Sequence, residues 1–485
     1  MLKEDSISTS MIFKTLERYL VMAFQLVVQI IIARILSPHD YGIVAMMSVF
    51  IAIAHVFIQN GFNMAVVQKK NASEVDFGTA LLINFLIGVV LYLLLVLFSS
   101  QIAHFYSQPL IRTCMPVMAL LLVIGSINSI QIAIANRSMQ FKKLFKANIV
   151  ASIISGTIGI LSAFAGLGVW ALIIQQLGFS VVLGIVLLLQ QHWVPKFYFC
   201  KKSALEMFSF GWNLLAAGLI NQIYNELNSL VIGKKYTSSD LAFYTKGSQF
   251  PKLITMGIDH SISSVMFSAF SRKQEDQKQL HILIKKTNRV NSFFVLPLLM
   301  ILAMIAKPLV TVLLTEKWLP IVPYMQICCF TFAFHPLGAT QGQVIAAVGR
   351  SDIRLKAEFL KKGLGLFFLF LSLPYGPFYI ALSAAATSLF GVMLGTVFCK
   401  VFVSYKIRDS IMDILPIIMI SIVVGFTLFP LMQLSINPIL SVILGIVVGF
   451  LVYLSLASIF KLYAFLYFRD FIIDKCRKTF FWRKA

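Results

Sequence analysis

A regular succession of long apolar runs, such as Ala80 to Phe98 and Ile436 to Phe460, constrains this chain more than any other feature. A helix of about 20 apolar residues spans the roughly 30 Å hydrocarbon core of a bilayer. Such runs exceed what a soluble core can hide from water. The charged share is 12%, about half that of an average soluble domain. The expectation is an all-α integral membrane protein.

Fourteen spans are expected, at 14–35, 43–62, 77–98, 111–134, 148–166, 168–190, 207–232, 247–270, 290–314, 321–347, 359–375, 377–402, 411–432 and 437–460. Two divisions rest on short turn signals alone, Ala165-Gly166-Leu167-Gly168 and Pro374-Tyr375-Gly376-Pro377. The net charge of +22 does not point to nucleic acid, because the basic residues lie between apolar runs rather than on one face or tail. With the N-terminus cytoplasmic, 33 of the 41 Lys and Arg fall on the inner side, as the positive-inside rule requires. Both termini are therefore expected in the cytoplasm, and attraction to anionic lipid is a secondary effect. The polar start, with Glu4 and Asp5, lacks a signal peptide's basic region. Six cysteines show no ligand spacing and read as packing residues; no metal, cofactor or disulfide framework is expected.

The chain also resembles itself. At an offset of 200 residues, Ala33-Arg34-Ile35-Leu36-Ser37-Pro38-His39-Asp40-Tyr41-Gly42 faces Gly233-Lys234-Lys235-Tyr236-Thr237-Ser238-Ser239-Asp240-Leu241-Ala242. The same offset pairs Gln25 with Asn225, Gln59 with Asp259 and Asn60 with His260. A second echo relates Ala135-Asn136-Arg137-Ser138 to Val348-Gly349-Arg350-Ser351. Several matches in order read as a duplication. The expected organisation is an N-terminal lobe over 1–206, a C-terminal lobe over 207–410, and two further helices with a basic tail over 411–485. Six helices per repeat give both lobes the same orientation, with a substrate path between them.

The run Arg34-Ile35-Leu36-Ser37-Pro38-His39-Asp40-Tyr41-Gly42 resembles the signature that ends the first helix of bacterial polysaccharide-exporting flippases. So do Ala135 to Phe141, Glu316-Lys317-Trp318 and Ala346 to Asp352, in the expected order. The chain is thereby similar to the polysaccharide transporter family, which includes O-antigen, colanic-acid and teichuronic-acid flippases, within the multidrug/oligosaccharidyl-lipid/polysaccharide exporter superfamily. The resemblance implies two six-helix lobes around a V-shaped cavity, alternating access, and an undecaprenyl-diphosphate-linked oligosaccharide as cargo. It implies the bacterial inner membrane, with a polymerase and glycosyltransferases as pathway partners. Asp40 and Tyr41 read as organisers of a helix end rather than as cargo contacts.

Polar side chains at membrane depth are the candidate site, since each is expensive there without water or a partner. Asn221, Asn225 and Asn228 share one face of the seventh span with Gln222 and Glu226 beside them, and Arg18, Gln25 and Gln29 form a similar stripe on the first. Lys252, Asp259 and His260 on the eighth span and Asn60 on the second complete the set. Amides would bond sugar hydroxyls and cations would meet the diphosphate. Each has a plain alternative: amides bond neighbouring helices, Lys252 neutralises Asp259, and Arg18 snorkels to the surface.

No nucleotide-binding or hydrolase motif occurs, so the chain reads as a transporter and not an enzyme, driven by H+, Na+ or the cargo gradient, and acting as a monomer. Competing readings are an ion-coupled drug exporter, a peptidoglycan-precursor flippase, and an integral membrane sugar polymerase. The last lacks a sizeable outer loop.

Overall fold

Backbone groups in hydrocarbon must be paired within the chain, and every regular element among the described residues is helical. The structure, a computed structural model, describes residues 21–60, 73–191, 196–403, 405–434 and 436–470, with Asn63, Val66 and Lys69. The helices are α1 (Val21–Ile35), α2 (Pro38–Asn60), α3 (Glu74–Leu97), α4 (Ser99–Tyr106), α5 (Leu110–Arg137), α6 (Phe141–Phe164), α7 (Val169–Gln191) and α8 (Lys201–Lys235). They continue with α9 (Ser238–Arg272), α10 (Gln277–Met304), α11 (Ala306–Leu314), α12 (Ile321–Ala333), α13 (His335–Ala347), α14 (Ser351–Ser372), α15 (Pro377–Val403), α16 (Ile407–Gln433) and α17 (Pro438–Ile459).

Among the described residues ten helical spans are long and apolar enough to cross a membrane, or eleven if the bent α8 is one span. Two further helices fall below that apolarity. Helix α9 carries Lys246, Lys252 and Asp259, and the first half of α14 carries Arg354, Lys356, Glu358, Lys361 and Lys362. The first expected span begins outside the described residues, which show its last part as α1.

Both turns expected from short signals are present. Gly166 (φ 77°) and Gly168 (φ 55°) separate α6 from α7, and Gly376 (φ 121°) separates α14 from α15, a backbone region that glycine enters without strain. The expected span over 290–314 is instead interrupted: α10 ends at Met304 and α11 starts at Ala306. Likewise 321–347 is divided between Phe334 and His335, with Pro336 at the start of α13. A proline is tolerated there because the first turn of a helix needs no N–H from it.

The chain forms two compact units, Met1–Ala242 and Phe243–Ala485. Helix α8, which the repeat assigns to the second half, packs against α2 within the first unit. Small residues let helices approach there: Gly156 faces the Val28 side chain and Gly159 faces Gln175 and Ile32. In the second unit α10 packs on α16, and α17 covers both, burying Phe293, Ile301, Val424, Leu428 and Tyr453. Tyr453 donates to the Phe293 carbonyl at 2.8 Å. Close packing and interhelical hydrogen bonds of this kind replace the hydrophobic drive that lipid-soluble helices lack. Outward-facing Phe164, Leu189 and Phe426 are 70%, 72% and 75% exposed. Such surfaces suit lipid and are avoided by soluble monomers.

Candidate functional site

The duplicated motif is a helix-entry device. In the first copy Ser37 Oγ donates to Asp40 Oδ2 at 2.6 Å, and the Ser37 N–H does so at 3.0 Å. In the second, Thr237 Oγ1 and the Thr237 N–H donate to Asp240 Oδ2 at 2.6 and 3.1 Å. The Asp40 and Asp240 N–H groups return bonds to the hydroxyls at 3.3 and 3.1 Å. Each is a reciprocal cap that supplies partners to the orphan donors of α2 and α9. The two copies also touch. A Cβ on Gly42 would overlap the Ser238 carbonyl, so the glycine that ends the first copy gives room to the backbone of the second.

The second echo is not in structural register. Helices α5 and α13 end alike, with left-handed Met139 (φ 52°) and Gly349 (φ 79°), closed by Gln140 N–H to Ala135 O and Arg350 N–H to Ile345 O. These caps stand 210 residues apart, whereas the Arg-Ser letters match at 213. Arg137 and Arg350 accordingly do different work. Arg137 donates to the Val66 and Lys69 carbonyls, while Arg350 forms a two-pronged pair with Asp352 at 2.9 Å. That pairing holds the exposed Asp352 carboxyl at about 2, below its ordinary range.

The expected polar stripes sort differently. On α8, Asn221 and Asn225 are exposed and Asn228 is half-buried. Gln222 Nε2 donates to Glu226 Oε1 at 3.0 Å, so Glu226 accepts a bond from its own helix. On α1, Gln25 is exposed and its amide reaches Ser152 Oγ of α6 at 3.4 Å, while Gln29 is half-buried. The Gln29 carbonyl accepts from Tyr41 Oη at 3.4 Å. Arg18 and the side chains of Asn60 and His260 lie outside the described residues.

The alternative that Lys252 neutralises Asp259 is not what the structure holds. Lys252 is exposed, and Asp259, only 14% exposed at its side chain, has Oδ2 3.9 Å from Nδ1 of His335. His335 stands at the break between α12 and α13. His335 is not among the residues expected at the site, although a His-Pro step inside an apolar run signals a broken helix.

Two buried carboxylates were also missed. Asp76, 4% exposed at its side chain, binds Lys69 at 2.8 Å and accepts from Ser203 Oγ at 2.6 Å and the Ser73 N–H at 2.8 Å. Lys69 reaches Glu206 at 3.1 Å as well. The hydrogen bond to Asp76 is the main reason the Lys69 ammonium titrates above its ordinary range. The Ser73-x-x-Asp76 spacing is a capping box and was available as a signal. Asp413, 1% exposed at its side chain, binds Arg289 Nη2 at 2.9 Å and Lys285 at 3.5 Å. Its other oxygen accepts from Tyr405 Oη at 3.0 Å, and that hydroxyl accepts from Asn288 at 3.2 Å. These networks tie helix starts to loops within each unit.

The chain shares its fold with solved transporters. It aligns with the lipid II flippase MurJ, in its inward closed conformation, at a TM-score of 0.74 and 19% identity over 95% of this chain and 100% of that one. With an inward-facing multidrug resistance MATE family transporter the TM-score is 0.60 at 12% identity, over 79% and 94%. By sequence it is 24% identical to the teichuronic acid biosynthesis protein TuaB of Bacillus subtilis over 65% of this chain, an alignment that spans 66% of TuaB. It is also 24% identical to the lipopolysaccharide biosynthesis protein WzxC of Escherichia coli over 74% of this chain and 73% of WzxC. The profile of the polysaccharide biosynthesis protein family matches residues 31–323. Together with the Arg34 to Gly42 signature and its paired cap, that match makes this chain a member of the polysaccharide biosynthesis protein family of membrane transporters.

Proposed function

We propose that this protein turns an undecaprenyl-diphosphate-linked oligosaccharide from the inner to the outer leaflet of a bacterial cytoplasmic membrane, for assembly of a surface polysaccharide. Membership of the polysaccharide biosynthesis family carries the reading. The names of TuaB, WzxC and the succinoglycan biosynthesis transport protein ExoT of Rhizobium meliloti support it, as does the fold shared with a lipid II flippase. The full topology in this reading is fourteen spans with both termini cytoplasmic, two duplicated six-helix lobes, and alternating access of a cavity between them.

In this reading Lys252 and Arg18 hold the diphosphate. Asn221, Asn225 and Asn228 on α8, with Gln25 and Gln29 on α1, line the path of the sugar. A diphosphate entering low dielectric must keep compensating cations, and losing one charged hydrogen bond there costs about 2–5 kcal/mol. The exposed Lys252 ammonium suits that role better than it suits a structural ion pair. Asp259 with His335 supplies a titratable pair at membrane depth through which an H+ gradient acts.

Deletion of the gene tests the function. Loss of a surface polysaccharide, with lipid-linked repeat units accumulating on the inner leaflet, is the expected result. Normal polysaccharide together with sensitivity to cationic drugs would instead assign the chain to drug export.

A further inference from the structure

We propose that the elbow joining α7 to α8 is a docking site for the headgroup of an anionic phospholipid, built from Lys196, Lys201 and Lys202 beside the exposed stripe Leu205, Phe208 and Trp212. The proposal rests on the membrane location of the chain and is independent of the cargo.

The elbow is held in place from inside. Residues 196–200 have no regular secondary structure and Cys200 is extended, and a Cβ on Gly78 of α3 would stand 2.7 Å from the Lys196 carbonyl and 2.9 Å from the Tyr198 ring. The Cys200 N–H donates to Thr79 Oγ1 at 3.1 Å, and the Phe197 ring lies 5.8 Å from that of Phe85. On the first turns of α8, Ser203 bonds Asp76 and Met207 joins a buried cluster with Val66, Ala80, Leu81 and Ile130. That inner face leaves the other one outward. Lys201, Leu205, Phe208 and Trp212 follow 4, 3, 4 spacing and are all exposed, at 60%, 50% and 54% for the three apolar residues. Helix α8 bends by 47° between Lys201–Ser209 and Gly211–Lys235, which sets its first turns at an angle to the rest of the helix.

The chemistry of this face selects its partner. Lys196, Lys201 and Lys202 are exposed and make no ion pair among the described residues. The nearby acid, Glu206, is bound to Lys69. Lysine is a point charge suited to phosphate, and basic residues interleaved with aromatic ones mark the membrane interface, where each cation contributes to holding anionic lipid. An acidic soluble protein would match the lysines but not the Leu205–Phe208–Trp212 stripe. A phosphodiester with acyl chains matches both.

The test uses the full chain in neutral detergent and measures retention of phosphatidylglycerol and phosphatidylcholine by native mass spectrometry. Replacing Lys196, Lys201 and Lys202 by Gln should weaken phosphatidylglycerol binding by about fivefold per lysine, roughly 100-fold together. Phosphatidylcholine should be unaffected, and Lys→Arg at the three positions should retain binding. If the triple variant does not fold, Lys201→Gln alone carries the fivefold test. Unchanged binding in the variants would overturn the proposal. So would an equal loss from Gln at Lys142, Lys143 and Lys146, which would indicate general charge attraction. Displacement of phosphatidylglycerol by undecaprenyl diphosphate at equal concentration would also overturn it, by assigning the elbow to cargo.

Discussion

Removing the two cations around Asp413 should destabilise the protein more than removing the carboxylate itself. Asp413 is 1% exposed at its side chain, whereas Arg289 and Lys285 are 31% and 41% exposed. Replacing both cations by Met leaves a buried carboxylate with Tyr405 as its remaining donor among these groups, a loss of about 3–5 kcal/mol. Asp413→Asn forfeits the charged bonds, but the half-exposed cations then turn to water, so the loss is about 1–3 kcal/mol. Arg289→Met alone should fall lowest, at about 1–2 kcal/mol, because Lys285 already stands 3.5 Å from the same oxygen. Denaturation of the purified protein in mild detergent, followed by circular dichroism, measures all three variants. The order should persist at high salt, because buried pairs are screened little. An Asp413→Asn loss equal to or above that of the double cation variant would refute the argument.

Four further outcomes are expected. Lys252→Ala should abolish polysaccharide export at normal membrane abundance, while Lys252→Arg keeps part of it; export assays with immunoblotting check both. Gly42→Val should lower thermal stability by more than Gly342→Val, because a Cβ at Gly42 meets the Ser238 backbone whereas Gly342 faces open space; melting curves in detergent compare them. Asp240→Ala should cost about 1 kcal/mol through the lost cap of α9, read by denaturation. The stabilisation from Lys69 should be fully present below its unfolded pKa of roughly 10.4 and fade as pH rises through its higher folded value. The stability gap between wild type and Lys69→Met should therefore hold from about pH 6 to pH 9 and narrow near pH 11.

Helix positions were legible because length and apolarity are local properties. The turns at Gly166-Leu167-Gly168 and Gly376-Pro377 were legible from glycine and proline alone. The interruptions at Ile305 and Phe334 were legible only in Lys307-Pro308 and His335-Pro336, and the overall apolarity of the two spans outweighed those local breaks. Charge pairing was the least legible. Arg289 and Asp413 are 124 residues apart, and nothing local tells a carboxylate which distant cation it will meet. Reading letters also misplaced the second echo by three residues, because a helix end is fixed by backbone conformation at Met139 and Gly349 rather than by the arginine beside it. Within the candidate site, residue type identified α8 as the polar helix. It did not foresee that Gln222 would engage Glu226 or that His335 would stand near Asp259.

Lys69, Arg137, Lys285 and Arg289 lie in the loops and helix ends that the positive-inside rule would place in the cytoplasm, yet each is bound in the folded chain. On the proposed topology these cations would act at two successive times. In the proposed topology they would be solvated and orient the nascent helices during insertion; in the folded chain they seat on Asp76, Asp413 or a loop carbonyl. If α16 were inserted the wrong way round, Asp413 would stand at the membrane face opposite Arg289, 124 residues away in sequence, and the pair would never close. Closing of that pair would then act as a proofreading step on topology, and quality-control proteases would encounter a misoriented chain with Asp413 unpaired.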